Sequence, residues 1–249
     1  MNATSLVGFL CIVGIGSYLQ AFTGFALGIF VLGAVVLLQL LSLETTATAI
    51  NIMMVVNTAI ALRGKVHLMN RKLFARTLVG IIPGVPLGLW LLATLTARST
   101  QFLQLALGVL VLLTGAMLFA QPKPRSSASS SGSFAIAGAL GGVLGGLFSV
   151  PGPPVIYHFY VQPMALEQVR LTLLGIFGTI SLLRLLLLLA NGGLGPDALY
   201  LGTLSIPVVA AATALFMKYP PALSDTAVRR SAFVLLSGMG IVIFAMAWM

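Results

Sequence analysis

Few side chains here could do chemistry, and most of them stand in stretches that are otherwise apolar. The segment FSVPGPPVIYHF, Phe148 to Phe159, sets Ser149, Tyr157 and His158 around Gly152 and Pro153, inside a charge-free run from Ser126 to Leu166. A second charge-free run, Met1 to Leu43, holds QAFTGFALGIF, with Gln20 and Thr23 beside Gly24. Gln20, Thr23 and Ser149 can hydrogen-bond an oxyanion, or they can satisfy backbone loosened at a break; both readings stay open. A helix starting near Pro153 would point unpaired N–H groups forward, and helix N-termini favour anions. Asn51 and Asn57 are amides within a span, where such groups face protein rather than lipid, as site residues or as interhelical bonds. His158 is a structural hydrogen-bonder or a proton carrier. Glu44 and Glu167 stand at segment starts, where a carboxylate suits the helix dipole; capping or gating is favoured for them over ion binding. Arg184, in SLLRLLLLLA, resists placement in a loop: it either snorkels towards the surface near Asn191 or turns inward, offering a planar donor fork to a sulfonate or carboxylate.

The elements that must position these groups follow from composition. Of 249 residues, 59% are hydrophobic and 7% charged, more apolar surface than one soluble core could bury. The chain therefore reads as an all-α polytopic membrane protein. Its thirteen Lys and Arg against four Asp and Glu give a net charge of +9, which positive-inside sorting explains without a nucleic-acid partner. Cys11 is the one cysteine, so disulfides within the chain and thiolate metal clusters are excluded. The N-terminal run lacks the basic start and short apolar unit of a signal peptide.

About 20 residues cross a bilayer as a helix, so the charge-free Met1–Leu43 must fold back. Spans are expected near 5–20, 24–41, 46–62, 74–94 and 101–120, then 134–148, 151–162, 169–190, 198–217 and 230–249. QPKPRSSASSSGS, residues 121–133, reads as a flexible linker between a first membrane unit, 1–120, and a second, 134–249. With the loop from Arg63 to Lys72 in the cytoplasm, Arg63, Lys65, Arg71, Lys72, Arg76, Lys123, Arg125, Arg170, Lys218, Arg229 and Arg230 fall inside and Arg98 outside. That asymmetry places both termini outside.

The two charge-free runs each end at a Leu-Glu pair, Leu43-Glu44 and Leu166-Glu167, and Ile82-Pro83 recurs as Ile206-Pro207. Halves of about five segments each (8–10 in all) enter the membrane from opposite sides, which is an inverted repeat with broken or short helices near the midplane of each half. Glycine and proline at membrane depth persist where the freed backbone is buried in protein or lines a polar cavity. The alternative is that both breaks merely make tight hairpins.

GSYLQAFTGFALG, the block Ala47 to Val66 with its basic exit loop, PGVPLG and GGLFSVPGPPVIYHF resemble the sulfite exporter TauE/SafE family of membrane permeases, over nearly the whole chain. The resemblance implies secondary transport, usually outward, of sulfite, sulfonates or related small anions across the inner membrane. The family's first break often has consecutive glycines and then proline; here Thr23 to Gly28 has no proline. The expected substrate contacts are Gln20, Thr23, Gly24, Asn57, Ser149, Gly152, Pro153, Tyr157, His158 and Arg184. The expected partners are a small anion and the bilayer, with a proton or sodium coupling ion and self-association left open. An anion channel and a carboxylate transporter of the same fold are the alternatives. With two histidines, four carboxylates, no HExxH motif and no phosphate-binding glycine-lysine loop, the inventory supplies neither an enzyme, a cofactor site nor ATP-driven transport.

Overall fold

The computed structural model describes residues 3–96, 100–120, 124–150 and 152–219, with isolated helical positions between 234 and 241. The expected last span, 230–249, lies essentially outside them, as do Arg98, Lys123, Pro151, Arg229 and Arg230. The described residues are helical: α1 Ala3–Thr23, α2 Ala26–Leu37, α3 Leu43–Ala61, a 3₁₀ turn Val66–Leu68, α4 Arg71–Thr96, α5 Thr100–Ala120, α6 Ser131–Phe148, α7 Gly152–Tyr160, α8 Leu166–Ala190 and α9 Pro196–Lys218. Six of these, α1, α3, α4, α6, α8 and α9, are long and apolar enough to cross a membrane. This is a polytopic membrane protein.

The termini of these helices have local causes. Gly14 and Gly16 do not interrupt α1, which runs on to Thr23; it is Gly24, at φ 84°, that turns the chain. A Cβ at Gly24 would lie 3.3 Å from both Cα and O of Arg170, so a side chain there would be strained by the conformation and tightly confined by the neighbouring helix. The helix α3 opens on Ser42, whose side chain accepts from Thr45 N. The helix α6 starts at Ser131, three residues before the expected 134. The described part of the linker is tied down: Arg125 N donates to Val161 O at 2.8 Å and Ser129 N to Gln162 Oε1 at 3.0 Å.

At the centre α3 packs against both α8 and α9, while α8 also packs against α4. The helix α1 lies on α9 and α4 lies on α6. The α4–α6 contact is the most intimate. Gly80, Gly84 and Gly88 face Gly138, Gly142 and Gly146, and a Cβ at Gly84 would lie 2.7 Å from Ala139 O. At Gly80, Gly88, Gly138 and Gly146 a Cβ would run into the carbonyl oxygens of Ala135, Val143, Thr77 and Val85 respectively. Such small-residue stripes let backbones approach where lipid supplies no hydrophobic drive between helices. Register increases together along both helices, so α4 and α6 run parallel and begin on one side of the membrane.

That side is the basic one. The loop after α3 and the first turns of α8 meet there through Asn70 N donating to Thr172 Oγ1 at 3.0 Å and an ion pair between Lys65 and Glu167 at 3.7 Å. Arg63, Lys65, Arg71, Lys72, Arg125 and Arg170 all belong to these loops or to the helix turns beside them.

Candidate functional site

Both breaks leave helix ends whose backbone groups have no partner in the next turn, and side chains supply what is missing. At the first, Thr23 Oγ1 accepts from Ala26 N at 3.1 Å and Phe25 N at 3.3 Å, and Gln20 Oε1 accepts from Leu27 N at 2.9 Å. The Gln20 amide nitrogen reaches Gly24 O at 3.4 Å and Met54 Sδ at 3.3 Å. The first N–H groups of α2 are thus already engaged, and Gln20 and Thr23 are the residues that engage them. At the second break Ser149 adopts the left-handed conformation, φ 62°, rare for a residue with a side chain. Its hydroxyl donates to Ala47 O at 2.6 Å. Two prolines, Pro153 and Pro154, carry no N–H, so the first turn of α7 offers an anion fewer donors than a helix start usually does.

Charge arrives from one helix. Arg170, near the start of α8, donates through Nη2 to Ala21 O at 2.6 Å, closing the C-terminal turn of α1. Arg184, near the other end of α8, donates through Nε to Gly146 O at 3.0 Å and through Nη1 to Ser149 Oγ at 2.8 Å, closing α6. Each helix that stops at a break therefore ends on a guanidinium, the sign its dipole favours. The two arginines are 14 residues apart, about 21 Å of helix rise. Arg184 is fully buried and does not snorkel.

Each break also touches the short helix that follows the other. A Cβ at Gly28, one turn into α2, would lie 2.8 Å from Val150, and Tyr160 Oη donates to Thr23 O at 2.9 Å. The remaining expected residues are placed elsewhere. His158 Nε2 lies 3.0 Å from Ser133 Oγ and its ring stacks edge-on to Phe134, at the linker end of α7. Tyr157 and Pro153 line an apolar recess of about 400 Å³ against α5, with Leu110, Leu113 and Leu144. Asn57 Nδ2 donates to Thr213 Oγ1 at 2.8 Å, joining α3 to α9. Gly152, at φ 63°, would bring a Cβ to 2.7 Å from Leu110. The structure gathers Gln20, Thr23 and Gly24 at one break, Ser149 and Arg184 at the other, and leaves Asn57, Tyr157 and His158 apart from both.

Two cavities lie at opposite ends of α8. One, of about 700 Å³, is lined by Glu44, Leu89, Leu92, Ala93, Arg184 and Asn191, among others. The second, of about 340 Å³ on the basic side, is lined by residues that include Lys65, Glu167, Arg170, Thr213, Phe216 and Met217. Each holds the glutamate that begins a long helix and the arginine that caps a broken one. Glu44 and Glu167 are 123 residues apart; Leu89 and Thr213, Leu92 and Phe216, and Ala93 and Met217 are each 124 apart. Sequence reasoning had the glutamate pair but not the cavity walls, because it had no view of which helices adjoin.

A membrane chain whose helices break at two places and end there on arginines, Arg184 buried and Arg170 partly so, matches one known family, over residues 8–243. It belongs to the sulfite exporter TauE/SafE family. A relative from Cupriavidus necator, named probable sulfite/organosulfonate exporter TauE, is 35% identical over 94% of this chain and 92% of its own length. No solved structure matches. Members of the TauE/SafE family are transporters, not enzymes, and the present chain is a multi-pass member of it.

Proposed function

We propose that this chain is a secondary transporter, working outward, for a small sulfur oxyanion such as sulfite or an organosulfonate, and that it works by alternating access between two inverted halves. The carrying observation is the pair of cavities at opposite ends of α8, walled by residues at a near-constant offset. Helix packing supports the same reading: exchanging α3 with α8 and α4 with α9 turns the α3–α9 contact into α8–α4, and exchanging α1 with α6 turns α1–α9 into α6–α4. A duplicated unit of opposite sense has this property, and carriers built so bind substrate where the halves meet. Anion preference follows from the arginine in the wall of each cavity. The basic side faces the cytoplasm by charge sorting, with the N-terminus outside.

The test is counterflow in proteoliposomes loaded with unlabelled sulfite. Labelled sulfite is expected to accumulate transiently, saturably, and with competition from short organosulfonates. Flux that rises linearly with concentration and is not accelerated by substrate on the far side would establish a channel instead. Competition by acetate alone would favour the carboxylate reading.

A further inference from the structure

Some buried polar atoms remain once caps and interhelical bonds are assigned. Among the described residues, both amide atoms of Asn51, the Ser181 hydroxyl and Arg184 Nη2 are buried without a hydrogen-bond partner. Asn51, Ser181 and Arg184 are exposed by 0%, 1% and 0%. Several such orphans in one region are rare in native proteins and ask for a reason.

They converge. The helices α3 and α8 run antiparallel, and two contacts fix their register. Thr58 Oγ1 on α3 donates to Leu174 O at 3.2 Å, and the same side chain covers Gly178. Further along, Ser149 bridges the pair, donating to Ala47 O on α3 and accepting from Arg184 Nη1 on α8. Asn51 lies between Ala47 and Thr58, and Ser181 between Gly178 and Arg184. At 3.6 residues per turn, Asn51 is about 20° around α3 from Thr58, on the face turned to α8, and Ser181 is about 20° around α8 from Leu174. Asn57 also has an orphan oxygen, but its nitrogen is held by Thr213 on α9, on another face.

Resting on the transport reading above, we propose that Asn51, Ser181 and Arg184 form a dehydrated seat for one small oxyanion between α3 and α8. Its inventory selects the ligand. Arg184 Nη2 and Asn51 Nδ2 each offer two N–H groups and Ser181 one O–H, beside a full positive charge. Donors outnumber acceptors, which suits a sulfite or sulfonate head and disfavours a cation. The planar guanidinium keeps one nitrogen for the anion while the other two hold the end of α6, so ligand and second break share a side chain. Access runs from the larger cavity, which Arg184 also lines.

The test uses Asn51→Leu and Ser181→Ala in the full-length protein, in the sulfite counterflow assay and by thermal unfolding without ligand. Each substitution removes a polar group that has no partner in the empty protein, so the ligand-free Tm should hold or rise. The KM for sulfite should rise about ten-fold or more, as for a lost hydrogen bond to a charged group. A structural role would give the opposite pair, a lower Tm with an unchanged KM. If the wild type exchanges sulfite and both variants keep its KM within about two-fold, the seat is wrong and the transport reading stands. If the wild type neither exchanges nor is thermally stabilised by sulfite, organosulfonate or carboxylate, both fall. Should Asn51→Leu not fold, Ser181→Ala, which removes one oxygen, decides alone.

Discussion

Arg184 shows how one side chain can hold a fold and leave a valence for function. Its Nε and Nη1 are spent on Gly146 O and Ser149 Oγ, charge-assisted bonds of about 1.5–3 kcal/mol each. Replacing it with Gln removes the charge and at least one of these bonds. Both lower stability and a KM for sulfite more than about ten-fold higher are expected, the second because a buried anion loses its counter-charge. Lys keeps the charge but has no planar fork, and it cannot span Gly146, Ser149 and a ligand together; an intermediate KM is expected. Transport assays on matched amounts of protein check this, and wild-type KM in both variants would move anion selectivity off Arg184 altogether. The sequence marked this residue as anomalous but could not choose inward from outward, since it lies about 10 Å of rise from Asn191 either way. The choice is made by Gly146, 38 residues away along the chain, whose carbonyl is free only because α6 stops. Gln20 and Thr23 were legible as polar groups at a break, and the structure gives them the nearer task, closing the first turn of α2.

At the scale of elements, α4 and α6 are locked by glycine. Gly80, Gly84 and Gly88 recur every fourth residue, as do Gly138, Gly142 and Gly146, so each stripe keeps to one face of its helix. The spacing stands in the sequence, but which stripe meets which does not, because α5 and the linker separate them. Gly146→Ala would drive a methyl group into Val85 O. Backbone cannot step aside as a side-chain tip can, so the expected cost is about 1–3 kcal/mol. Gly132→Ala, where nothing stands within 4 Å, should leave Tm unchanged and serves as the comparison in detergent. Equal Tm values for the two would mean that the helices separate freely at this contact. Helix ends were read to within a few residues where backbone chemistry decides them: Gly24 turns the chain after α1, expected to end at 20, and Pro196 starts α9, expected at 198. Gly14 and Gly16 fall inside the expected first span, 5–20, and stay helical, with Val208 of α9 and Val31 of α2 packed beside them.

For the whole molecule, the two cavities carry a prediction that neither half could make alone. Glu167 is paired with Lys65 in the wall of the basic-side cavity, at 3.7 Å. Both partners are well exposed, so the pair is worth little in energy and can open and reclose with small bias. If the halves alternate, Ala93 on α4 and Met217 on α9, 124 residues apart and in the walls of opposite cavities, should be reached from opposite sides of the membrane. With Cys11, itself exposed, replaced by Ala, an impermeant maleimide should label Ala93→Cys from the periplasmic face only and Met217→Cys from the cytoplasmic face only. A ligand can shift such an equilibrium only by binding the two states unequally. Saturating sulfite that slows one labelling rate should therefore speed the other. Labelling of both positions from one face would dismiss the inverted arrangement, whereas rates that fall together would keep the topology but reduce sulfite to a plug.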